Sequence, residues 1–119
     1  MGVLAWITGV LLIVGFGLAG VSKVTKQQQM VDAAGHMGMS VQQFQMIGGL
    51  EIAGAVGVLI GLVSEDLRGL GIAAAIGLAL VGIGAVVFHV RAGDKPPAFA
   101  PAAVLTIVAV LAVVGLAGM

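Results

Sequence analysis

Apolar residues in this chain neither alternate nor keep to one stripe; they run continuously. Four such runs, about 3–22, 44–63, 69–90 and 101–118, are separated by three short polar segments. About 20 apolar residues at a rise of about 1.5 Å cross a hydrocarbon core of about 30 Å. Lipid offers backbone N–H and C=O groups no partner, so only helices or closed barrels span it, and continuous rather than alternating runs select helices. The pattern predicts an all-α, polytopic membrane protein, an antiparallel four-transmembrane-helix bundle forming one domain over 1–119.

The polar segments supply the connections. Lys23 and Lys26 close the first run and open a stretch, 25–34, that reads as a short interfacial helix between helices one and two, with Thr25 as N-cap and Gly35 as its stop. Its methionines either cover an apolar surface or lie at headgroup level, and the second reading is preferred. Ser64 to Arg68 is a tight turn that makes helices two and three antiparallel neighbours, with Asp66 as N-cap of helix three. Arg91 to Pro97 is the last connection, and Pro101 falls in the first turn of helix four, where a missing N–H costs nothing. The first and third connections hold Lys23, Lys26, Arg91 and Lys95 against Arg68 alone in the second, so the positive-inside rule puts both termini outside the cell.

Composition narrows the function. With 61% hydrophobic and 8% charged residues and a mean hydropathy of +1.23, the chain is an integral membrane protein rather than a soluble domain. The lack of cysteine excludes disulfide relays, thiolate nucleophiles and ordinary iron–sulfur ligation. Zero net charge without a basic tract excludes nucleic acid as a partner. The first run has no basic segment before it and is too long for a signal sequence, so it is expected to be retained, and Trp6 stands where a myristoylation motif needs Ser or Thr. Gly15-Phe16-Gly17-Leu18-Ala19-Gly20 spells G-x-G-x-x-G, but with no strand before it the small residues are read as helix-packing positions.

Glu51 is the position on which any chemistry turns. An ionised side chain in mid-membrane costs about 2.5–3.5 kcal/mol on insertion scales, so it needs a partner, a proton or a task. It stands seven residues beyond Phe44, about 10 Å into helix two. Its helical neighbours Ile47, Gly48, Gly54 and Ala55 are mostly small. On the far side Gly49, Ala53, Gly57 and Gly61 form a small-xxx-small ladder, a seam for helix packing and for a homo-oligomer. Lys23 and His89, near the ends of helices one and three, reach the same half of the bundle. Lys23 and Glu51 can pair as ions, while His89 can bond Glu51 or a ligand carbonyl. The plainer readings are that Lys23 snorkels to the interface and that Glu51 is an interhelical clamp. Arg91 is about 200° round the helix from His89 and shares its face only if the helix has already ended. His36, Asp32, Glu65, Asp66, Asp94 and Lys95 are read as ordinary loop residues.

Three stretches carry a resemblance: Gly20-Val21-Ser22-Lys23, Ile47-Gly48-x-x-Glu51-x-x-Gly54-Ala55, and Gly84-Ala85-x-x-x-His89-x-Arg91. In this order and spacing the chain resembles the DoxX-like family of small four-helix bacterial membrane proteins. The resemblance implies a bundle in the bacterial inner membrane acting as an oxidoreductase component; some relatives in that family are subunits of a thiosulfate:quinone oxidoreductase, and others associate with redox or detoxification enzymes. The leading expectation is a redox-associated subunit that binds a quinone or other lipidic molecule, with Glu51 and His89 as acid–base residues and Lys23, Glu51, His89 and Arg91 as the ligand-binding set. No metal site and no intrinsic cofactor are expected, so a partner redox enzyme would supply electrons. The alternatives are a proton-coupled transporter, disfavoured by a ring content of only Trp6, Phe16, Phe44, Phe88 and Phe99, and a non-catalytic bundle that oligomerises through its glycines.

Overall fold

The computed structural model describes residues 2–119 and contains five helices: α1 (Gly2–Val24), α2 (Gln28–His36), α3 (Val41–Val63), α4 (Arg68–Arg91) and α5 (Pro96–Ala117). α1, α3, α4 and α5 are each long and apolar enough to cross a membrane, and α2 is the short helix between the first two. The protein is a four-helix membrane bundle. Each long helix packs against two others, in the cyclic order α1, α3, α4, α5. The outward faces stay apolar, with Leu18, Leu50, Leu80 and Ile107 exposed, while Leu12, Val58, Leu78 and Leu116 fill a narrow interior. Helices in lipid gain little from hydrophobic burial against one another, so close approach has to hold them.

Glycine supplies that approach. A Cβ on Gly115 would strike the Ala5 backbone, one on Gly20 the carbonyl oxygen of Gly48, and one on Gly15 the side chain of Leu105. The first and last glycines of the G-x-G-x-x-G run are therefore packing positions, whereas Gly17 has nothing beside it. The ladder on α3 does not stay on one face. Gly57 lies against Ala74 and Gly61 against Gly71, both within the chain, whereas Gly49 has nothing beside it and Ala53 is exposed. A step of four residues overshoots a turn by about 40°, so three steps carry the ladder about 120°, from the lipid face to the α4 interface.

The helix ends differ from expectation in five places. Ser40 and Gln43 form a capping box, Ser40 Oγ accepting from the Gln43 N–H and Gln43 Oε1 from the Ser40 N–H, both at 3.1 Å, so α3 starts at Val41 rather than near 44. Thr25 caps nothing: its hydroxyl donates back to Val21 O at 2.7 Å, Lys26 turns the chain at a φ of 54°, and Gln27 precedes α2. α2 also runs past Gly35, to His36. Asp66 is not the N-cap of α4, a place taken by Leu67; instead Arg68 Nη1 donates to Gly61 O at 2.8 Å, serving an orphan carbonyl at the end of α3. Pro96 and Pro97 open α5, which puts Pro101 inside the helix, where it withholds a bond from the Pro97 carbonyl.

Candidate functional site

The site starts from the two glycines where α1 and α3 cross. Gly48 has no side chain, and Lys23 Cβ lies where one would stand, 2.7 Å from the ideal Cβ position. Cα–Cβ bonds tilt toward a helix's N-terminus, so on antiparallel helices Lys23 leans down into the bundle and Glu51 leans up toward it. They meet, Lys23 Nζ donating to Glu51 Oε1 at 2.6 Å, with the side chains 14% and 4% exposed. Lys23 also stands 5.3 Å from the ring centroid of Phe44, within cation–π range. It does not snorkel outward, because the Gly20–Gly48 crossing opens the inward path. With α3 starting at Val41, Glu51 lies about 15 Å along the helix, deeper than the 10 Å read from Phe44.

The pair stands in the wall of a cavity of about 430 Å³. Phe16 and Ala19 of α1, Phe44 and Ile47 of α3, Ala85 and Phe88 of α4, and Pro101 and Leu105 of α5 make it predominantly apolar. α2 closes over it: Ala34 is fully buried, and Met30, Met37 and Met39 line the cavity. These methionines cover an apolar surface instead of lying at headgroup level, because the outer face of α2 is satisfied separately, with Gln28 Nε2 donating to Asp32 Oδ1 at 2.9 Å. Among the described residues Glu51 Oε2 accepts no hydrogen bond, and it is not sealed within the protein. The ion pair thus keeps hydrogen-bonding capacity in both partners, since an ammonium carries three donors and a carboxylate about four lone-pair sites.

His89 lines the same cavity but bonds elsewhere. Gly93, at a φ of 82°, turns the chain back after α4, so the Asp94 N–H reaches His89 O at 3.0 Å. The Asp94 carboxylate then lies between two imidazoles, Oδ2 at 2.6 Å from His89 Nδ1 and Oδ1 at 2.6 Å from His36 Nε2. Hydrogen bonds from His89 and then His36 hold the Asp94 carboxyl below its usual range. Asp94 and His36, both read from the sequence as ordinary loop residues, therefore tie α2 to the α4–α5 connection. The only signal for this was the glycine after α4, and it gives a reversal without saying what the reversal brings together. Arg91 is exposed, with its guanidinium 5.8 Å from the Phe88 ring, and lies outside the cavity lining because α4 runs on through it. Gly49 and Ala53 are likewise remote from the cavity. Among the described residues no set of three or more His, Asp or Glu is placed to hold a metal ion.

An apolar chamber with one ammonium–carboxylate pair and one oriented imidazole can bind a lipidic molecule by its body, fix a small polar head, and exchange a proton with it. Comparison with known proteins bears on the family alone. None of the curated proteins or solved structures matches the chain. The sequence model of the DoxX-like family matches residues 7–118 of the 119. Four membrane-length helices and a match over nearly the whole chain lead to one assignment: the protein is a member of the DoxX-like family.

Proposed function

We propose that this protein is a small redox-associated membrane subunit that binds a quinone or other lipidic molecule in the cavity around Glu51. The observation that carries the reading is the Lys23–Glu51 pair, buried yet left open at Oε2, in the wall of an otherwise apolar chamber. Burying two charges costs several kcal/mol per ion, at order of magnitude, unless other hydrogen bonds repay it, and a polar head docking on the pair would supply them. The apolar lining and the three methionines would take rings and tails of varied shape. In this reading the bundle lies in the bacterial inner membrane with both termini outside, Glu51 and His89 handle protons, and a partner redox enzyme supplies electrons. Mass spectrometry of gently extracted protein tests it: a quinone or similar amphiphile should co-purify or bind when added. Repeated absence of both would sink the proposal.

A second reading has an observation of its own. The 2.6 Å Lys23–Glu51 bond joins α1 to α3, so the pair would serve as an interhelical clamp with no ligand. Glu51→Gln separates the two, since a clamp variant loses stability alone, whereas a binding-site variant also loses ligand.

A further inference from the structure

The cavity wall formed by α4 carries an imidazole whose orientation is set from outside the cavity. Asp94 holds His89 by Nδ1 and His36 by Nε2, each at 2.6 Å. An ionised carboxylate only accepts hydrogen bonds, so a neutral His89 must keep its proton on Nδ1 to donate to it. Its other nitrogen, Nε2, is then a bare acceptor. Nε2 has no hydrogen-bond partner among the described residues and is not buried, and His89 lines the cavity. Glu51 Oε2, in the same lining, is a second open acceptor. The Lys23 ammonium gives one of its three N–H groups to Glu51, and the others can meet a carbonyl or a hydroxyl oxygen equally, so Lys23 does not discriminate between the two forms.

We propose that Asp94 determines specificity: by fixing the tautomer of His89 it makes the cavity select a molecule that offers hydroxyl hydrogens, a hydroquinone or related phenol, over the carbonyl form of the same molecule. This rests on the ligand-binding reading above. A hydroquinone gives His89 Nε2 the proton donor it lacks, whereas a quinone carbonyl sets lone pair against lone pair. The same carboxylate reaches α2 through His36, but the selectivity depends only on its bond to His89.

The test uses the full chain in nanodiscs at pH 8 without oxygen, ¹⁵N-labelled at histidine, with a short-chain benzohydroquinone, its quinone and its dimethyl ether as probes. Nitrogen NMR should place the His89 proton on Nδ1. The hydroquinone should bind about tenfold more tightly than the quinone, roughly one good hydrogen bond, with the ether bound like the quinone. Asp94→Ala should bring the ratio close to one chiefly by tightening the quinone, since His89 can then carry its proton on Nε2, whereas His36→Ala, which leaves the His89–Asp94 bond intact, should preserve it. An Nε2–H tautomer, equal or tighter quinone binding, or an equal loss of selectivity in His36→Ala would overturn the inference while leaving the ligand-binding reading in place. Failure of every probe to bind would overturn both.

Discussion

Replacing Gly48 with alanine adds one methyl group at the point where α1 and α3 come closest. The new Cβ would lie 2.7 Å from Lys23 Cβ, 2.8 Å from the Gly20 carbonyl oxygen and 3.2 Å from Val24 Cγ2. Ordinary van der Waals contact begins near 3.4 Å, so α1 must retreat by about 0.7 Å, and the backbone carbonyl cannot rotate aside as a side chain would. Overpacking of this kind costs about 1–3 kcal/mol, against which the better helix propensity of alanine returns roughly 0.5–1 kcal/mol. The net expectation for Gly48→Ala is a loss of up to about 2.5 kcal/mol. The adjacent glycine is the control: Gly49 has nothing within 4 Å, so Gly49→Ala should be neutral or stabilising by up to about 1 kcal/mol. Denaturant unfolding of both variants in one mixed micelle, followed by helical ellipticity, measures the difference. If Gly48→Ala is as stable as Gly49→Ala, α1 and α3 do not cross at Gly20 and Gly48, and the inward path of Lys23 loses its cause.

Three further outcomes follow from the same geometry. Lys23→Met should cost about 3 kcal/mol or more by leaving a buried carboxylate unpaired, and adding Glu51→Gln should recover most of it; additive losses in the double-mutant cycle would deny the pairing. The Asp94 carboxyl is held below its ordinary value of 3.8, so it stabilises the fold above that value and the contribution disappears only as pH falls through the depressed one. Amide exchange in 28–36, corrected for intrinsic rate, should therefore stay slow from neutral pH to weak acid, and should already be fast at neutral pH in Asp94→Ala; a transition near neutral pH in the parent chain would contradict this. Gly61→Val should destabilise the single chain, since Gly61 packs on the Gly71 backbone; a change of native mass with stability intact would instead put that glycine between chains.

How much of this was legible in the sequence depended on whether the information was periodic or conformational. The four spans follow from run length, whereas the interfacial helix was read from Thr25 and Gly35 and is present although neither residue bounds it. Glu51 stood out because an ionised group in an apolar run has a cost, and the small residues beside it marked a close crossing. The direction of Lys23 required the crossing geometry as well: ending a span favours snorkelling, and only an antiparallel neighbour lacking a side chain at Gly48 turns it inward. The start of α3 was readable, since Ser40-Val41-Gln42-Gln43 has the spacing of a capping box, but the apolar run begins later and drew the boundary with it. Asp94 was not readable. Its place between His36 and His89 depends on a left-handed Gly93 and on how α2 folds back, neither of which has a period in the sequence. The glycine ladder misled through arithmetic, because a spacing of four looks like one face over a turn or two and leaves it over three.

The central claim is that the cavity holding the Lys23–Glu51 pair binds a lipidic molecule. Equilibrium binding of a short-chain quinone and its hydroquinone to the parent chain and to Glu51→Gln, with folding of both verified by ellipticity, tests it most directly. The account predicts saturable binding of one molecule per chain, weakened tenfold or more by Glu51→Gln while the helices persist. Saturable binding absent from the parent chain, or unchanged by Glu51→Gln, would contradict it.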